Sequence, residues 1–129
     1  CDFFLLAFGM NDAGNSPKNE QKAIKKIADE LYAIAPEAEM LLVATMIPNP
    51  EATNGWYGNQ HRFESVFESL AKDYVAEGKS CAVAKMTSMS QRILENKRFR
   101  DHTGNNINHP NDFLGRLYAQ VVYETVIGY

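Results

Sequence analysis

The sequence is short of cysteine, of basic charge and of long apolar segments, and each shortage argues against a class of protein. Two cysteines cannot form a disulfide framework. A net charge of −3 and a pI near 5.6 argue against the basic face that nucleic acids and anionic membranes require, so we expect neither as a partner. No apolar run is long enough to cross a membrane. The histidines lack a ligand-like spacing with one another or with acidic residues, so no metal site and no cofactor is predicted.

The remaining composition is typical of a folded globular domain. With 45% hydrophobic and 22% charged residues over 129 positions, the chain can bury a core, and we predict a single domain over residues 1–129. The sequence begins without methionine inside an apolar run, so we expect it to be part of a longer polypeptide. Cys1 and Cys81 fall at the starts of strands that we predict to be non-adjacent, and a bridge between them is therefore not expected.

Three apolar runs, at residues 2–8, 40–47 and 81–86, alternate with amphipathic helical patterns. This order predicts a parallel sheet with right-handed crossovers in a three-layer α/β/α arrangement. The first run is apolar at successive positions, which is typical of a strand buried between helices. The third run is shorter and less apolar, which fits the edge of a sheet.

Local signals mark the ends of the helices. Ser16 and Pro17 provide an N-cap and a first helical residue, and Pro36 ends that helix. A short helix is predicted over residues 89–95, and Asn111 caps the last one. Apolar stripes predict the core-facing positions of the first and last helices, which are Ile24, Ile27, Ala28, Leu31 and Ile34 in the first and Leu114, Leu117, Val121, Val122 and Val126 in the last.

Two polar motifs lie where an open α/β sheet places its sites, beyond the carboxyl ends of strands. The first reads G-M-N-D at residues 9–12, directly after the first apolar run, and the second reads N-I-N-H-P at residues 106–110, before the last helix. Together they resemble the G-x-N-D and D-x-x-H-P blocks of the SGNH (GDSL-type) esterases and lipases. The resemblance covers nearly the whole chain and matches the C-terminal portion of an SGNH hydrolase domain. The G-D-S block, which carries the nucleophilic serine of that family, does not occur in these residues.

The resemblance implies a flavodoxin-like fold that is incomplete in this chain, because the family has two further strands beside the first one here. The first strand then becomes an exposed edge, and we expect it to pair with a second copy of the chain or with the rest of its polypeptide. The resemblance also implies that Asn11 donates to the oxyanion of the reaction, while Gly9 allows the close turn that exposes it. A simpler interpretation is that Asn11 or Asp12 only caps a turn.

The same resemblance makes His109 the general base of the reaction and Asn106 the residue that orients it. The family usually has aspartate at the position of Asn106, and an asparagine can fix the tautomer of the imidazole but cannot stabilise imidazolium with a negative charge. By analogy with triad mutants, the loss in rate reaches about 10⁴-fold if nothing replaces the carboxylate. Asp101, Asp112 or a main-chain carbonyl are the possible replacements.

Other residues have weaker patterns. Trp56 and Tyr57, on a long loop after the second strand, form either a binding rim for a sugar or acyl group or a packing contact within their own loop. His61 and His102 are assigned to surface or rim positions. Among the serines, only Ser88 and Ser90 invite inspection as a replacement nucleophile, because they follow the third strand; the others lack a strand-to-helix glycine context or have a structural role.

The sequence therefore predicts part of a serine esterase or acylhydrolase, whose substrate is a small-molecule or carbohydrate ester. Gly9, Asp12, Trp56 and Tyr57 are the predicted substrate-binding residues, and carbohydrate is favoured because the site loop is polar and aromatic. Because no nucleophile block is present, the chain alone is expected to lack esterase activity. The alternative is a non-catalytic, flavodoxin-like module that binds carbohydrate or acts as a scaffold through a degenerate hydrolase site.

Overall fold

A computed structural model describes residues 2–53 and 55–128. Within them the chain forms three strands, β1 (Phe3–Ala7), β2 (Glu39–Val43) and β3 (Cys81–Ala84), and four α-helices, α1 (Pro17–Ile34), α2 (Phe63–Ala76), α3 (Met86–Leu94) and α4 (Asp112–Ile127). Two short 3₁₀ helices, Asn59–Arg62 and Phe99–Asp101, precede α2 and follow α3. Cys1 lies outside the described residues, so the prediction about its pairing with Cys81 is not addressed.

The strands form one parallel sheet in the order β1-β2-β3. Side chains of α1 and α2 pack with Leu6, Met40 and Leu42 on one face. Those of α3 and α4 pack with Leu41 and Val43 on the other face. The predicted three-layer α/β/α fold with a parallel sheet is therefore confirmed. No helix in the described part of the chain is long and apolar enough to cross a membrane.

The central strand is β2, and the prediction that the first strand is buried between helices is wrong. From Met40 to Val43 every residue of β2 is buried, whereas β1 has only Leu6 buried and Leu5 is 47% exposed. The exposed residues Phe3, Leu5 and Ala7 alternate along β1 and so share one face of the sheet. The side chains of α3 and α4 pack on Leu41 and Val43 on that face and leave β1 uncovered. Both strands are equally apolar in sequence, so composition cannot tell the centre from the edge.

Where a helix end depends on local signals, the prediction is confirmed. The Ser16 hydroxyl accepts a hydrogen bond from the amide of Asn19 at 3.2 Å, and the side-chain oxygen of Asn111 accepts one from the amide of Leu114 at 3.1 Å. Two predicted core positions are wrong, since Ile34 in the last turn of α1 and Val126 near the end of α4 are largely exposed.

The third helix starts three residues earlier than predicted, at Met86. Its N-cap residue, Lys85, makes no capping hydrogen bond with its side chain. Instead the carboxylate of Glu64, from α2, accepts a hydrogen bond from the amide of Ser88 at 3.0 Å, and a second one from the Ser88 hydroxyl. Because this cap comes from another helix, no local sequence signal indicates it.

Candidate functional site

The candidate site is a cavity of about 280 Å³ at the carboxyl edge of the sheet. It lies between the segment that follows β1 and the segment that follows β2, and its lining residues are 7–12, 43–45 and Tyr118. The predicted site residues Gly9, Asn11 and Asp12 therefore line one cavity. Clefts at this edge of an open α/β sheet are where ligands usually bind.

The backbone of residues 9–12 turns sharply at Gly9. Its φ of +105° lies in the left-handed region, and a Cβ atom added there would meet a ring carbon of Phe63 at 3.0 Å. The amide of Asp12 donates to the carbonyl of Gly9 at 3.2 Å, which closes the turn. The exposed Asn11 side chain makes no hydrogen bond within the described part of the chain, so its amide is available to a ligand.

Behind this turn lies Glu20, a buried carboxylate of α1 that the motif analysis did not identify. The side-chain amide of Asn15 donates to it at 3.1 Å. Burial raises the pKa of Glu20, and the nearby charge of Asp12 raises it further, while the hydrogen bond from Asn15 works in the opposite direction. Glu20 thus places a carboxyl group with a raised pKa directly under the Gly9 turn.

The helix α4 contributes Tyr118 to the same cavity. The backbone amide of Met46, just after β2, donates to the Tyr118 hydroxyl at 2.7 Å. Burial raises the pKa of Tyr118 from its ordinary value near 10, against hydrogen bonds with Met46 and Thr45 that lower it, so the phenol is protonated at neutral pH. The sequence did not indicate this residue, because it lies on the apolar face of α4, whose pattern predicts packing in the core.

The loop that carries His109 is held in shape by the side chain of Asn105. Its carbonyl oxygen accepts hydrogen bonds from the amides of Ile107, Asn108 and His109, each at 3.0 Å. A bridge between Thr103 and Pro110 closes the loop. The His109 side chain is exposed, and its ring forms no hydrogen bond or ion pair among residues 2–53 and 55–128.

Asn106 has a backbone role in this loop. With a φ of +55° it is a non-glycine residue in the left-handed region, where asparagine is among the tolerated residue types. Its carbonyl accepts a hydrogen bond from the Asn49 side chain at 2.9 Å, and the Asn49 amide donates to Ile107 at 2.8 Å. These bonds attach the His109 loop to the loop after β2, but Asn106 and His109 share no side-chain hydrogen bond in the described structure.

Both aspartates considered as replacements for Asn106 are engaged elsewhere. Asp101 accepts a hydrogen bond from the amide of Arg98 at 3.0 Å, and Asp112 pairs with Arg116 at 3.2 Å on α4. Neither is recorded in contact with His109. The orientation of His109 by a carboxylate therefore stays a prediction.

The loop carrying Trp56 and Tyr57 is attached to the cavity by Gln60, which sequence analysis did not single out. The fully buried Gln60 side chain donates to the carbonyls of Met10, at 3.1 Å, and Trp56, at 2.7 Å, and accepts from the amide of Gly58 at 2.8 Å. The loop thus lies beside the 9–12 turn.

Both interpretations of this aromatic pair stay predictions. Tyr57 stacks on His61 with ring centroids 5.8 Å apart, so it packs within its own region. Trp56 and Tyr57 nevertheless stay 37% and 40% exposed, which leaves aromatic surface for a ligand. His61 is exposed, as predicted.

The prediction that His102 lies at the surface or rim is wrong, because it is completely buried. Its Nδ1 hydrogen-bonds the carbonyl of Arg98 at 3.1 Å, its ring packs edge-on against Phe99, and Nε2 has no partner among the described residues. Burial lowers the pKa of His102, so the ring is neutral at pH 7. The hydrogen bond to Arg98 then requires the proton on Nδ1.

Neither serine after β3 has the surroundings of a nucleophile at this cavity. Ser90 is buried, donates to the carbonyl of Thr87 and accepts from the amide of Ile47, which are structural bonds. Ser88 is exposed, but its hydroxyl is the one that donates to Glu64. It lines a different groove, between α3 and α4. In the part of the chain that the structure describes, no cluster of His, Cys, Asp or Glu side chains could hold a metal ion.

Comparison with known proteins identifies a fold. No family model matches the chain, and no curated protein matches it. Among solved structures, the chain is similar to LAE5, an alpha/beta hydrolase enzyme from the metagenome of Lake Arreo, Spain, with a TM-score of 0.69 and 17% sequence identity. The similarity covers 94% of this chain and 57% of that chain. At this identity the likeness shows a fold shared with an alpha/beta hydrolase.

Proposed function

We propose that this chain is part of a serine hydrolase of the SGNH type that cleaves ester bonds, with acyl groups on carbohydrate as the favoured substrates. The observation that carries the proposal is the position of the G-M-N-D turn: Gly9, Asn11 and Asp12 line a cavity at the carboxyl edge of a parallel sheet. The fold shared with an alpha/beta hydrolase is consistent with this proposal. The aromatic loop beside the turn provides surface on which a sugar ring can stack.

In this proposal Asn11 donates its side-chain amide to the oxyanion that develops as the ester carbonyl is attacked. The Asn11 amide is unengaged in the described structure, and the turn at Gly9 is confined by its φ and by Phe63, so the backbone that carries the donor is fixed before substrate arrives. Such preorganisation is what makes an oxyanion donor effective. Tyr118 lines the same cavity, and its hydroxyl is a second candidate donor besides the Asn11 amide.

His109 is the proposed general base, which takes a proton from the attacking serine and returns it to the leaving group. Its ring is exposed and uncommitted in the described structure, and the Asn105 side chain holds the loop by accepting from the amide of His109 and from those of the two preceding residues. The serine belongs to the G-D-S block, which this sequence does not contain. We therefore propose that the chain alone does not hydrolyse esters.

The test uses the complete product of the gene that encodes this sequence, assayed with p-nitrophenyl acetate and with acetylated oligosaccharides. We expect His109→Ala to lower kcat by about 10³-fold or more and Asn11→Ala by about 10² to 10³-fold. His61→Ala is the control, because His61 is also an exposed histidine; it stacks on Tyr57 of the aromatic loop, so its loss should act on KM and leave kcat unchanged. Absence of hydrolysis in the complete product, or full activity in His109→Ala, would overturn the proposal. Turnover by the 129-residue chain that His109→Ala abolishes would refute its expected inactivity.

The second candidate function is a non-catalytic carbohydrate-binding module. It is favoured by one observation, the missing partner of His109: Asn106 makes its recorded hydrogen bond to Asn49 through the backbone, and both nearby aspartates are engaged elsewhere. The substitution Asn106→Asp separates the two candidates. Asparagine and aspartate both tolerate this backbone, so in an enzyme the new carboxylate should raise kcat, whereas a binding module should gain no turnover.

We also propose that β1 pairs with another strand, and that a second copy of this chain provides it. The strand lies at the edge of the sheet, and Leu5 and Phe8 are about half exposed. An edge with apolar side chains and no charged or proline residue to block it favours intermolecular pairing. In antiparallel pairing across a two-fold axis, β1 of one copy, Phe3–Ala7, would form backbone hydrogen bonds with β1 of the other copy.

A further inference from the structure

A second cleft, of about 590 Å³, lies beside the loop that carries Asn106 and His109. One wall is the loop after β2, at residues 49–51, and the other is the segment 94–100 that ends α3 and enters the following 3₁₀ helix. Asn106 lines the cleft and is attached to that first wall by its hydrogen bond from Asn49. The cleft is therefore adjacent to the proposed general base without containing it.

The cleft is positively charged. Lys97, Arg98 and Arg100 line it, against a single carboxylate, Glu51. Neither arginine forms an ion pair within the described residues, and the Lys97 ammonium lies 5.4 Å from the ring centre of Phe113. All three cations are exposed, and in a chain of net charge −3 they concentrate positive charge on one wall of the cleft, which attracts an anion.

The backbone that presents these cations is held by buried and capping contacts. Phe99, between the two arginines, is buried, and its carbonyl accepts a hydrogen bond from the Thr103 hydroxyl at 2.8 Å. The carbonyl of Arg98 is bonded to His102 Nδ1 at 3.1 Å, and its amide donates to Asp101 at 3.0 Å. The segment is thus preorganised, so a ligand need only order the long side chains themselves.

We infer that this cleft binds an oxyanion substituent, a carboxylate or a sulfate, on the carbohydrate whose ester is cleaved at the neighbouring site. The inference rests on the proposed function. A guanidinium group presents paired N–H donors that match the two oxygens of a carboxylate or sulfate, and two such groups lie in the cleft. The substrate class is accordingly an acylated acidic polysaccharide, of the uronate or the sulfated type.

The test is calorimetric titration of the 129-residue protein with three oligosaccharides of equal length: an oligogalacturonate, a sulfated oligogalactan and a neutral oligogalactan. At least one anionic oligomer should bind about tenfold or more tightly than the neutral one, and the preference should shrink at high salt. Whichever anionic oligomer binds more tightly identifies the carboxylate or the sulfate as the natural group. Equal affinity for all three would overturn the inference.

A matched pair of double variants separates a site from general charge. Arg98→Gln with Arg100→Gln should remove the anion preference, whereas Lys18→Gln with Lys22→Gln, which changes the net charge equally on the exposed face of α1, should keep it. Equal losses in both variants, or tighter binding of a single-stranded DNA oligonucleotide than of either acidic sugar, would refute the assignment. Calorimetry measures binding without turnover, so the two proposals can fail separately. If the anionic oligomers are preferred but the complete gene product does not hydrolyse esters, only the proposed esterase function is refuted. If it hydrolyses esters but shows no anion preference, only the proposed anion site is refuted.

Discussion

Replacing Gln60 with methionine should destabilise the protein by separating the two loops that this side chain joins. Gln60 is fully buried and makes three hydrogen bonds, two to carbonyls in the 9–12 turn and the aromatic loop and one from a loop amide. Methionine has a similar length and volume, so it fills the space without a large cavity. The change therefore removes hydrogen bonds and little packing.

The expected loss follows from the number of bonds. Each intramolecular hydrogen bond contributes about 0.5–1.5 kcal/mol net, so three give a loss of about 2–4 kcal/mol in the free energy of unfolding. Urea unfolding followed by circular dichroism measures this loss. Hydrogen exchange adds a local readout, because the amide of Gly58 donates to Gln60 and should exchange faster in the variant.

Gln91→Met provides the control, since Gln91 is exposed on α3 and the same substitution there should change the free energy of unfolding by no more than about 0.5 kcal/mol. The reasoning is refuted if Gln60→Met unfolds within about 0.5 kcal/mol of the wild type. It is also refuted if exchange at Gly58 is unchanged, because the bond would then contribute nothing to holding the loop.

Three further predictions concern the turn, the buried histidine and the edge strand. Gly9→Ala should lower the free energy of unfolding by about 1–3 kcal/mol, because φ is +105° there, whereas Gly14→Ala, in open space, should be tolerated; equal effects would contradict the strain argument. Burial lowers the pKa of His102 below 6.5, so the unfolded chain takes up a proton at this residue at a higher pH than the folded protein does. The contribution of neutral His102 to the free energy of unfolding is therefore complete above pH 6.5 and is lost as the pH falls through the folded pKa. His102→Asn should therefore reduce the stability difference between about pH 7.5 and about pH 5.5, measured by urea unfolding, while His61→Asn should not; an unchanged difference in the His102 variant would contradict this. Leu5→Lys should convert a dimer to a monomer in light scattering, and a wild type that is monomeric at all concentrations would refute pairing through β1.

Much of the fold could be predicted because its signals are local. Ser16 and Asn111 cap helices through residues three positions away, and these bonds form as the sequence predicts. The alternation of apolar runs with amphipathic helices was enough to predict the parallel three-layer arrangement, which the structure confirms. The 9–12 motif could likewise be placed at a sheet edge, because it follows an apolar run directly.

The rest depends on partners that are distant in sequence. Glu64 caps α3 from 24 positions away, and Gln60 reaches Met10 across 50, so neither contact leaves a pattern in any local window. His102 resembles a surface histidine in sequence, yet packing against Phe99 buries it. The basic segment at residues 97–100 lines a cleft only because the fold brings the loop after β2 opposite it, and no local pattern in the sequence indicates that contact.

The sequence by itself thus determined the order of helices and strands and the ends of α1 and α4 that Ser16 and Asn111 cap, because helix caps and apolar periodicity act over a few residues at a time. Only the tertiary structure decided that β2 is buried on both faces while β1 is covered on one, since burial depends on which part of the sheet the helices cover. It also decided which polar side chains share a cavity. Asn11 and Tyr118 are 107 positions apart, yet they line the same cavity, because the segments that follow β1 and β2 meet α4 at the carboxyl edge of the sheet.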